Sequence, residues 1–216
     1  IGIGTSNVGF DSQNDNVIVR NNKVHTNGGV DGSGGIAMNE GSENYLVEGN
    51  VVTGNLSRFN GGGIAHNGPS PGNNIIRKNK VMFNEVFFGA LLNKAGDGGG
   101  IFVGDNVAGV EGTGNVTIEA NLIQGNLTGA GSGAGIRAFA VNADDVRQAP
   151  NDDTNWYRLN IINNIIVNNV AGVAGGGISL QDVLRANIVN NTIANNDSTA
   201  TGQLAFAPGA ANSTPQ

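Results

Sequence analysis

The segment 142–157 carries the residue types that sugar chemistry needs. Aromatic rings pack on the apolar faces of sugars, while carboxylates bind hydroxyl groups, hold calcium or act as general acid and base. A polar, acidic loop of this kind is also typical of an ordinary solvated surface, and both interpretations stay open. The residues concerned are Asp144, Asp145, Arg147, Asp152, Asp153, Trp156 and Tyr157. The aromatic pair are candidate ligand-binding residues, and the four aspartates are catalytic candidates under an alternative, enzymatic hypothesis.

The two histidines do not predict a catalytic triad or a zinc site. His25 has no carboxylate or second histidine at ligand spacing, and no Ser-His-Asp arrangement is recognisable in the chain. Cysteine is absent, which removes disulfides and thiolate metal sites. We therefore predict no catalytic residue outside the alternative hypothesis and no cofactor, with calcium as the one possible ion.

The chain is built from a repeat, in which the pattern Asn-x-(Val/Ile)-x-x-Asn occurs six times. The fold of this repeat must therefore position the candidate residues. Its first asparagines are separated by 28, 29, 42, 43 and 27 positions, so a unit of about 28 residues has been lengthened twice by insertion. The insertions correspond to the segments 85–97 and 142–157. The six first asparagines are Asn22, Asn50, Asn79, Asn121, Asn164 and Asn191.

Each unit predicts three short strands. A β-branched residue precedes every first asparagine by three positions, a valine or isoleucine follows it by two, and a third strand follows a glycine-rich loop. Units this small bury their apolar face only by stacking, with equivalent strands paired in parallel about 4.8 Å apart. Stacking places the six asparagines in a ladder, in which an amide left unpaired would cost roughly 1 to 3 kcal/mol.

The predicted fold is therefore all-β, a right-handed single-stranded parallel β-helix of about six to seven coils with an asparagine ladder. A leucine-rich repeat is disfavoured because no Leu-x-x-Leu-x-Leu frame precedes the asparagines, and a calcium β-roll because tandem Gly-Gly-x-Gly-x-Asp nonapeptides are absent. We assign residues 1–206 to the β-helix and 207–216 to a linker. On this basis Asn142, outside the ladder, is expected to contribute little to stability.

Strand alternation then predicts which side chains of the third strands face outward. If Ile36 and its equivalents point inward, His66 also points inward as a satisfied core histidine, and the intervening residues face out. The residue types of this outward row are typical of a glycan-binding surface and equally of an ordinary solvated surface. Its ligand-binding candidates are Phe102, Arg137, Phe139, Ser179 and Gln181, with Asn39 and Asn67 on earlier units. Asp105 and Asp182, in one column with Glu40, are weak calcium candidates that would belong to separate sites.

Composition limits the partners. The formal charge is −6, with 36 glycines in 216 residues and scattered Lys and Arg, so a nucleic-acid ligand is not expected. No apolar run approaches 18 residues, and membrane insertion is not expected. The segment 85–97 predicts a short helix with an apolar side, either a flap over the core or a groove wall. The chain starts without Met and inside a repeat, so further domains of a larger polypeptide are expected partners.

The stacked asparagines and the Gly-Gly-Ile strands resemble the pectate-lyase-like superfamily of right-handed parallel β-helices, in particular bacterial secreted and surface repeat proteins. The resemblance implies the fold, an extracellular or cell-surface location and polysaccharide ligands. The motifs of its enzymes are missing: of the polygalacturonase set only bare Asp-Asp pairs occur, and the Trp-Ile-Asp-His segment of pectate lyases is absent.

We therefore expect a non-catalytic β-helix module of a larger exported bacterial protein, serving as a rigid spacer or as a scaffold that binds polysaccharide. The alternative is a polysaccharide lyase or glycoside hydrolase that uses carboxylates of the segment 142–157. A weaker third hypothesis is protein adhesion through Phe87 and Phe88.

Overall fold

The structure is a computed structural model, and it describes residues 1–4, 11–29, 32–87, 96–104, 112–142, 149–153 and 156–199. Within these ranges every regular element is a β-strand, and the strands follow one another in successive coils. No helix long and apolar enough to cross a membrane occurs in these ranges. The predicted helix in 85–97 and the tail 207–216 rest on residues outside them.

The chain begins with β1 (Gly2–Ile3) and continues through six coils. In chain order the strands of the first three coils are β2 (Ile18–Arg20), β3 (Lys23–His25), β4 (Gly28–Gly29), β5 (Ile36–Met38), β6 (Leu46–Glu48), β7 (Val51–Thr53), β8 (Leu56–Ser57), β9 (Ile64–Asn67), β10 (Asn73–Arg77), β11 (Lys80–Met82), β12 (Glu85–Val86) and β13 (Ile101–Gly104). Those of the last three are β14 (Asn115–Glu119), β15 (Leu122–Gln124), β16 (Leu127–Thr128), β17 (Ile136–Phe139), β18 (Arg158–Ile162), β19 (Ile165–Val167), β20 (Val170–Ala171), β21 (Ile178–Gln181), β22 (Arg185–Val189), β23 (Thr192–Ala194) and β24 (Asp197–Ser198).

Equivalent strands of successive coils pair in parallel and form four sheets of six strands each. The first sheet contains β2, β6, β10, β14, β18 and β22, and the second contains the strands that follow these in each coil. The third sheet consists of the two-residue strands, and the fourth of β1 and the glycine-flanked strands. The molecule is therefore a parallel β-helix, as predicted.

The prediction of three strands per unit was wrong, because each coil contains an additional strand that belongs to the third sheet. The extra strand is only two residues long and directly follows the second asparagine of the repeat, as in Leu56–Ser57. Two residues carry too little alternation to be recognised as a strand in a sequence. The same error affected the segment 85–97, whose first two residues, Glu85–Val86, form β12 and pair with β8 and β16.

The first asparagines form the predicted ladder. In each step the Nδ2 of one asparagine donates to the Oδ1 of the next at 3.0 Å, from Asn22 through to Asn191. The same Oδ1 also accepts the backbone N–H of the preceding asparagine, as Asn121 does from Asn79 at 2.9 Å. A second Nδ2 hydrogen reaches a backbone carbonyl of the previous coil, as from Asn121 to Ile76 O at 3.0 Å. Each interior amide therefore has four partners.

A second ladder, which we did not predict, runs parallel to the first. The second asparagines of the repeat bond in the same manner at 2.8 to 3.0 Å. They are Asn27, Asn55, Asn84, Asn126, Asn169 and Asn196. The signal was present in the sequence, since both asparagines recur with equal regularity. Both ends of every strand in the second sheet are thus fixed by stacked amides.

The residue before each ladder asparagine adopts a left-handed conformation that bends the chain between sheets. Before the first ladder these residues are Asn21, Gly49, Lys78, Ala120, Asn163 and Asn190, and before the second they are Thr26, Gly54, Phe83, Gly125, Asn168 and Asn195. All have φ between 53° and 67°. Asn and Gly tolerate this region best, so Ala120 at 54° and Phe83 at 55° carry strain.

Glycine pairs allow the fourth sheet to approach the second ladder. A Cβ at Gly63 would lie 2.7 Å from Gly100 O and 2.9 Å from the Nδ2 of Asn84. Any side chain here would therefore push the coils apart or displace a ladder amide. The Gly-Gly-Ile motif is accordingly a packing requirement of the turn that leads into each strand of the fourth sheet.

The interior is a continuous apolar cluster of the inward columns that the sequence indicated. Val47, Ile76, Ile118 and Ile161 of the first sheet have no exposed surface, and Ile64, Ile101 and Ile136 of the fourth sheet are equally buried.

The expectation that Asn142 contributes little to stability does not agree with its surroundings. Asn142 is fully buried, its Oδ1 accepts the N–H of Leu184 at 3.0 Å, and its Nδ2 donates to Tyr157 O at 3.3 Å.

Replacing the ladder residue Asn121 with alanine should lower the free energy of unfolding by about 3 kcal/mol. The change removes the acceptor of the Asn79 backbone N–H and the side-chain hydrogen bonds that Asn121 makes to Asn79 Nδ2, Ile76 O and Asn164 Oδ1, and a buried unpaired group costs about 1 to 3 kcal/mol before relaxation. Urea denaturation measures the loss. Asn73→Ala, at an exposed position of β10, is the control and should change stability by less than about 0.5 kcal/mol. Similar losses in both variants would contradict the ladder's role.

Ala120→Gly should stabilise the protein by about 1 kcal/mol, because glycine adopts the left-handed conformation without a Cβ penalty. Gly54→Ala is the converse: the added Cβ would meet only Thr26 Cγ2 at 4.0 Å, so the backbone conformation alone should destabilise it by about 1 kcal/mol. Both are measured by chemical denaturation. Changes in the free energy of unfolding of the opposite sign would contradict the left-handed conformation of these two residues.

Candidate functional site

The outward row of the fourth sheet is not the open surface that we predicted. Phe102 is 1% exposed and Arg137 is 6% exposed, although both lie outside the apolar cluster of the interior. Ser179 and Phe139 are half-buried, and only Gln181 is exposed. Alternation gave the direction of these side chains, but it carried no information on what covers them.

Arg137 is fully engaged with neighbouring coils. Its Nε donates to Asp97 Oδ2 at 3.2 Å, its Nη1 to Ser179 Oγ at 2.8 Å, and its Nη2 to Gln181 Oε1 at 2.7 Å. The guanidinium also lies 5.4 Å from the centroid of the Phe139 ring. Removing one partner of such a buried ion pair is strongly destabilising. In this structure Arg137 connects three coils, and its donors point to these partners.

An open polar groove lies instead on the outer face of the first sheet. It has a volume of about 310 Å³ and crosses β10, β14 and β18. Because side chains alternate along a strand, its floor comes from the outward positions of three strands in register. The lining residues are Asn73, Asn74, Ile75, Asn115, Thr117, Arg158 and Asn160.

The polar groups of the groove are oriented by one another. Asn115 Oδ1 accepts the backbone N–H of Arg158 at 2.9 Å, and Asn160 Nδ2 donates to Thr117 Oγ1 at 3.2 Å. Asn160 Oδ1 in turn accepts Nδ2 of Asn187 on the next coil at 2.9 Å. These bonds occupy acceptor atoms. The Nδ2 group of Asn115 and the hydroxyl hydrogen of Thr117 have no partner among the described residues.

The end of the segment 142–157 lies beside this groove. Arg158 pairs in register with Arg185 of β22, whose guanidinium binds the carboxylate of Asp153 and lies 5.2 Å from the centroid of the Trp156 ring. Arg185 Nη1 also donates to the Trp156 carbonyl at 3.5 Å. The structure therefore brings together a ring, a carboxylate and two guanidinium groups at one edge of the first sheet.

The remaining candidates of this segment do not join the groove. Tyr157 packs against the apolar cluster of the interior, and Asp152 is exposed. Asp144 and Asp145 lie outside the described residues. Of the residues that we named from the sequence, Trp156 and Asp153 contact Arg185 beside the groove, and neither of them lines it.

Sequence reasoning missed Asn115, Thr117, Arg158 and Asn160. The signal that could have identified them is the alternation in Asn-Val-Thr-Ile-Glu and Arg-Leu-Asn-Ile-Ile, where polar outward residues recur at equivalent positions of adjacent coils. We had placed the ligand surface beside the glycine-rich strands, and so did not compare the outward columns of the first sheet.

The residues that could hold calcium are separated in the structure. Glu40 and Asp182 follow strands β5 and β21, which are four strand spacings or about 19 Å apart. Asp105, the third member of the column, lies outside the described residues. Across the described ranges no group of three or more His, Cys, Asp or Glu side chains is placed to bind a metal ion.

His66 is a satisfied core residue, as the alternation predicted. It has no exposed surface, its Nε2–H donates to Thr113 O at 2.8 Å, and the Tyr45 hydroxyl donates to its Nδ1 at 2.9 Å. A carbonyl oxygen only accepts, which fixes this neutral tautomer. Burial lowers the pKa of His66 from 6.5 to about 4, and burial raises the pKa of Tyr45. Both groups are therefore structural.

No family model matches the chain, and neither a curated protein nor a solved structure matches it. The parallel β-helix is established by the strand pairing, and its resemblance to the pectate-lyase-like superfamily has no family match behind it.

Stability should fall with acidity between pH 6.5 and 4, because the unfolded chain there binds a proton that folded His66 does not. The loss attributable to His66 between pH 7 and pH 5 is about 2 kcal/mol. Denaturation of His66→Gln, which keeps a neutral donor and acceptor, should lack this component. His25→Gln, at an exposed position, is the control and should keep the wild-type slope. An unchanged slope in His66→Gln would refute the assignment.

Proposed function

We propose that the chain is a rigid, non-catalytic β-helix scaffold that binds polysaccharide in the groove on the outer face of its first sheet. The observation that carries the proposal is the row of amide, hydroxyl and guanidinium groups across β10, β14 and β18, with the Trp156 ring at its edge. Polar groups of this kind recognise sugar hydroxyls, and an indole offers an apolar face on which a sugar packs.

The groove crosses three strands, which suits a chain better than a compact small molecule. Its floor spans three strands, so that the outer two are about 10 Å apart, and β22 extends the row by another spacing. Successive rungs present similar groups at a constant interval: Thr117, Asn160 and Asn187 share one outward column. A repeating ligand can use such a repeating surface.

The amide ladders support the scaffold part of the proposal. Asn79, Asn121 and Asn164 hold one end of the strands β10, β14 and β18, so the outward groups need little ordering when a ligand binds. Preorganisation of this kind favours affinity because less conformational entropy is lost.

Binding without cleavage is favoured because the residues that line the groove include no carboxylate. Glycoside hydrolysis generally uses two carboxyl groups on either side of the scissile bond. Asp153 is at the edge, but its side chain is 67% exposed and is bound to Arg185. The resemblance to pectate-lyase-like β-helices supports a polysaccharide ligand and a place in an exported bacterial surface protein; cleavage by a lyase or hydrolase is the competing outcome.

Affinity electrophoresis in gels that contain neutral and acidic polysaccharides tests the proposal. Wild-type protein should be retarded by at least one polysaccharide, and Trp156→Leu should be retarded less because it loses the ring at the groove edge. Phe87→Leu, at a residue that is 51% exposed elsewhere on the surface, is the matched control and should behave as wild type.

If the protein released new chain ends from the same polysaccharides, with or without calcium, it would be an enzyme and the non-catalytic proposal would be wrong. If no gel retarded the protein, the proposed binding function would be refuted and only the role of a rigid spacer would remain. Circular dichroism of each variant checks that the β-helix is retained.

A further inference from the structure

The groove carries an uncompensated positive charge. Arg158 is the one charged residue among those that line it, and its exposed guanidinium forms no ion pair with any residue that the structure describes. Three other arginines are paired: Arg77 with Glu48, Arg137 with Asp97, and Arg185 with Asp153. Arg20, on the exposed strand β2, also has no ion pair among the described residues, but Arg158 differs from it in lying inside a groove of neutral amides.

A second cation lies directly opposite the first. Arg158 and Arg185 are partners in the register of β18 and β22, about 4.8 Å apart along the sheet. Like charges at directly opposite positions destabilise a sheet. Asp153 neutralises Arg185 from one side, whereas Arg158 has no such partner among the described residues. An anion bound in the groove would remove the remaining repulsion.

Hydrogen-bond donors outnumber free acceptors beside Arg158. The Oδ1 of Asn115 and the Oγ1 of Thr117 already accept hydrogen bonds from Arg158 N and Asn160 Nδ2. On β14 and β18 what remains are the Nδ2 hydrogens of Asn115, the hydroxyl hydrogen of Thr117 and the guanidinium hydrogens of Arg158, whereas the unpaired Oδ1 of Asn74 lies on β10. Groups that only donate are matched by a ligand rich in acceptor oxygens, and a guanidinium binds anionic oxygens in bidentate geometry.

We propose that Arg158 is the specificity-determining residue of the groove and selects a saccharide unit that bears an anionic group, a carboxylate or a sulfate ester. This rests on the proposed polysaccharide-binding function and adds the class of ligand. The anionic group lies against Arg158, and the Nδ2 group of Asn115 and the hydroxyl of Thr117 donate to its oxygens or to neighbouring ring oxygens. Trp156 and Asp153 hold Arg185 at the adjacent rung.

The charge of the whole chain makes this selectivity measurable. The formal net charge is −6, so long-range electrostatics repel polyanions, and attraction must come from a local site. Two matched polymers, dextran and dextran sulfate, differ only in the sulfate ester. Polygalacturonate supplies the carboxylate arm.

Isothermal titration with these three polymers at low salt tests the inference. Wild-type protein should bind dextran sulfate, polygalacturonate or both more tightly than dextran, and the affinity should fall as sodium chloride is raised. Arg158→Gln should lose about tenfold or more in affinity for the anionic polymer, because a charge-assisted bidentate contact is removed. Arg158→Lys keeps the charge but not the fork geometry, so its affinity for the anionic polymer should lie between those of the wild type and Arg158→Gln.

Arg20→Gln is the matched control. It removes the same charge from an exposed position of the same sheet, on β2, two strands from the groove. The control should bind as wild type, and all variants should show the wild-type circular dichroism spectrum. Equal binding of dextran and the anionic polymers, or equal losses in Arg158→Gln and Arg20→Gln, would overturn the role of Arg158 and leave the proposed function in place. Absence of binding to every polymer would refute both.

Discussion

Stacked carboxamides at the two turns around the second sheet are the interaction on which the rest of the molecule depends. An asparagine has one acceptor oxygen and two amide hydrogens, and in each interior rung all three are used between adjacent coils. Because the Oδ1 also accepts a backbone N–H, the same atom closes the turn and joins the coils. A buried turn in an apolar tube would otherwise leave main-chain groups unpaired. The two ladders therefore make it possible to bend the chain inside a protein whose core is mainly valine and isoleucine.

The stacking of the coils by these ladders also fixes the spacing of the side chains on the outer surface. Since strands are held in register at about 4.8 Å, any side chain that faces outward is repeated above and below by the residues of neighbouring coils. The surface consequently consists of columns, and the pairing within a column decides what it does. Arg77 and Glu48 neutralise each other at 2.9 Å, and Arg137 joins Asp97, Ser179 and Gln181. Both columns are closed by contacts within the protein.

The column that contains Arg158 is different in this respect. Its neighbours supply amides and a second arginine, so that the groove contains donors without a matching anion. A β-helix that served only as a spacer would be expected to balance these adjacent charges, as Arg77 and Glu48 do on the same sheet. The imbalance, together with the Trp156 ring and the Arg185–Asp153 ion pair at the edge, is the basis for assigning a ligand to this face.

The sequence by itself determined the coil. The spacing of Asn22, Asn50 and their equivalents, and the β-branched columns on either side, are local patterns that stacking converts directly into sheets and a ladder, so the fold, the inward position of His66 and the buried columns could be predicted. Only the tertiary structure decided which outward residues are accessible, because coverage depends on neighbours distant in the chain. Thus Phe102 and Arg137 proved to be buried, Asn142 joined Leu184 to Tyr157, and the groove formed where β10, β14 and β18 place Asn115, Arg158 and Asn160 side by side. Alternation gives a side chain its direction, but contacts between coils determine what it meets.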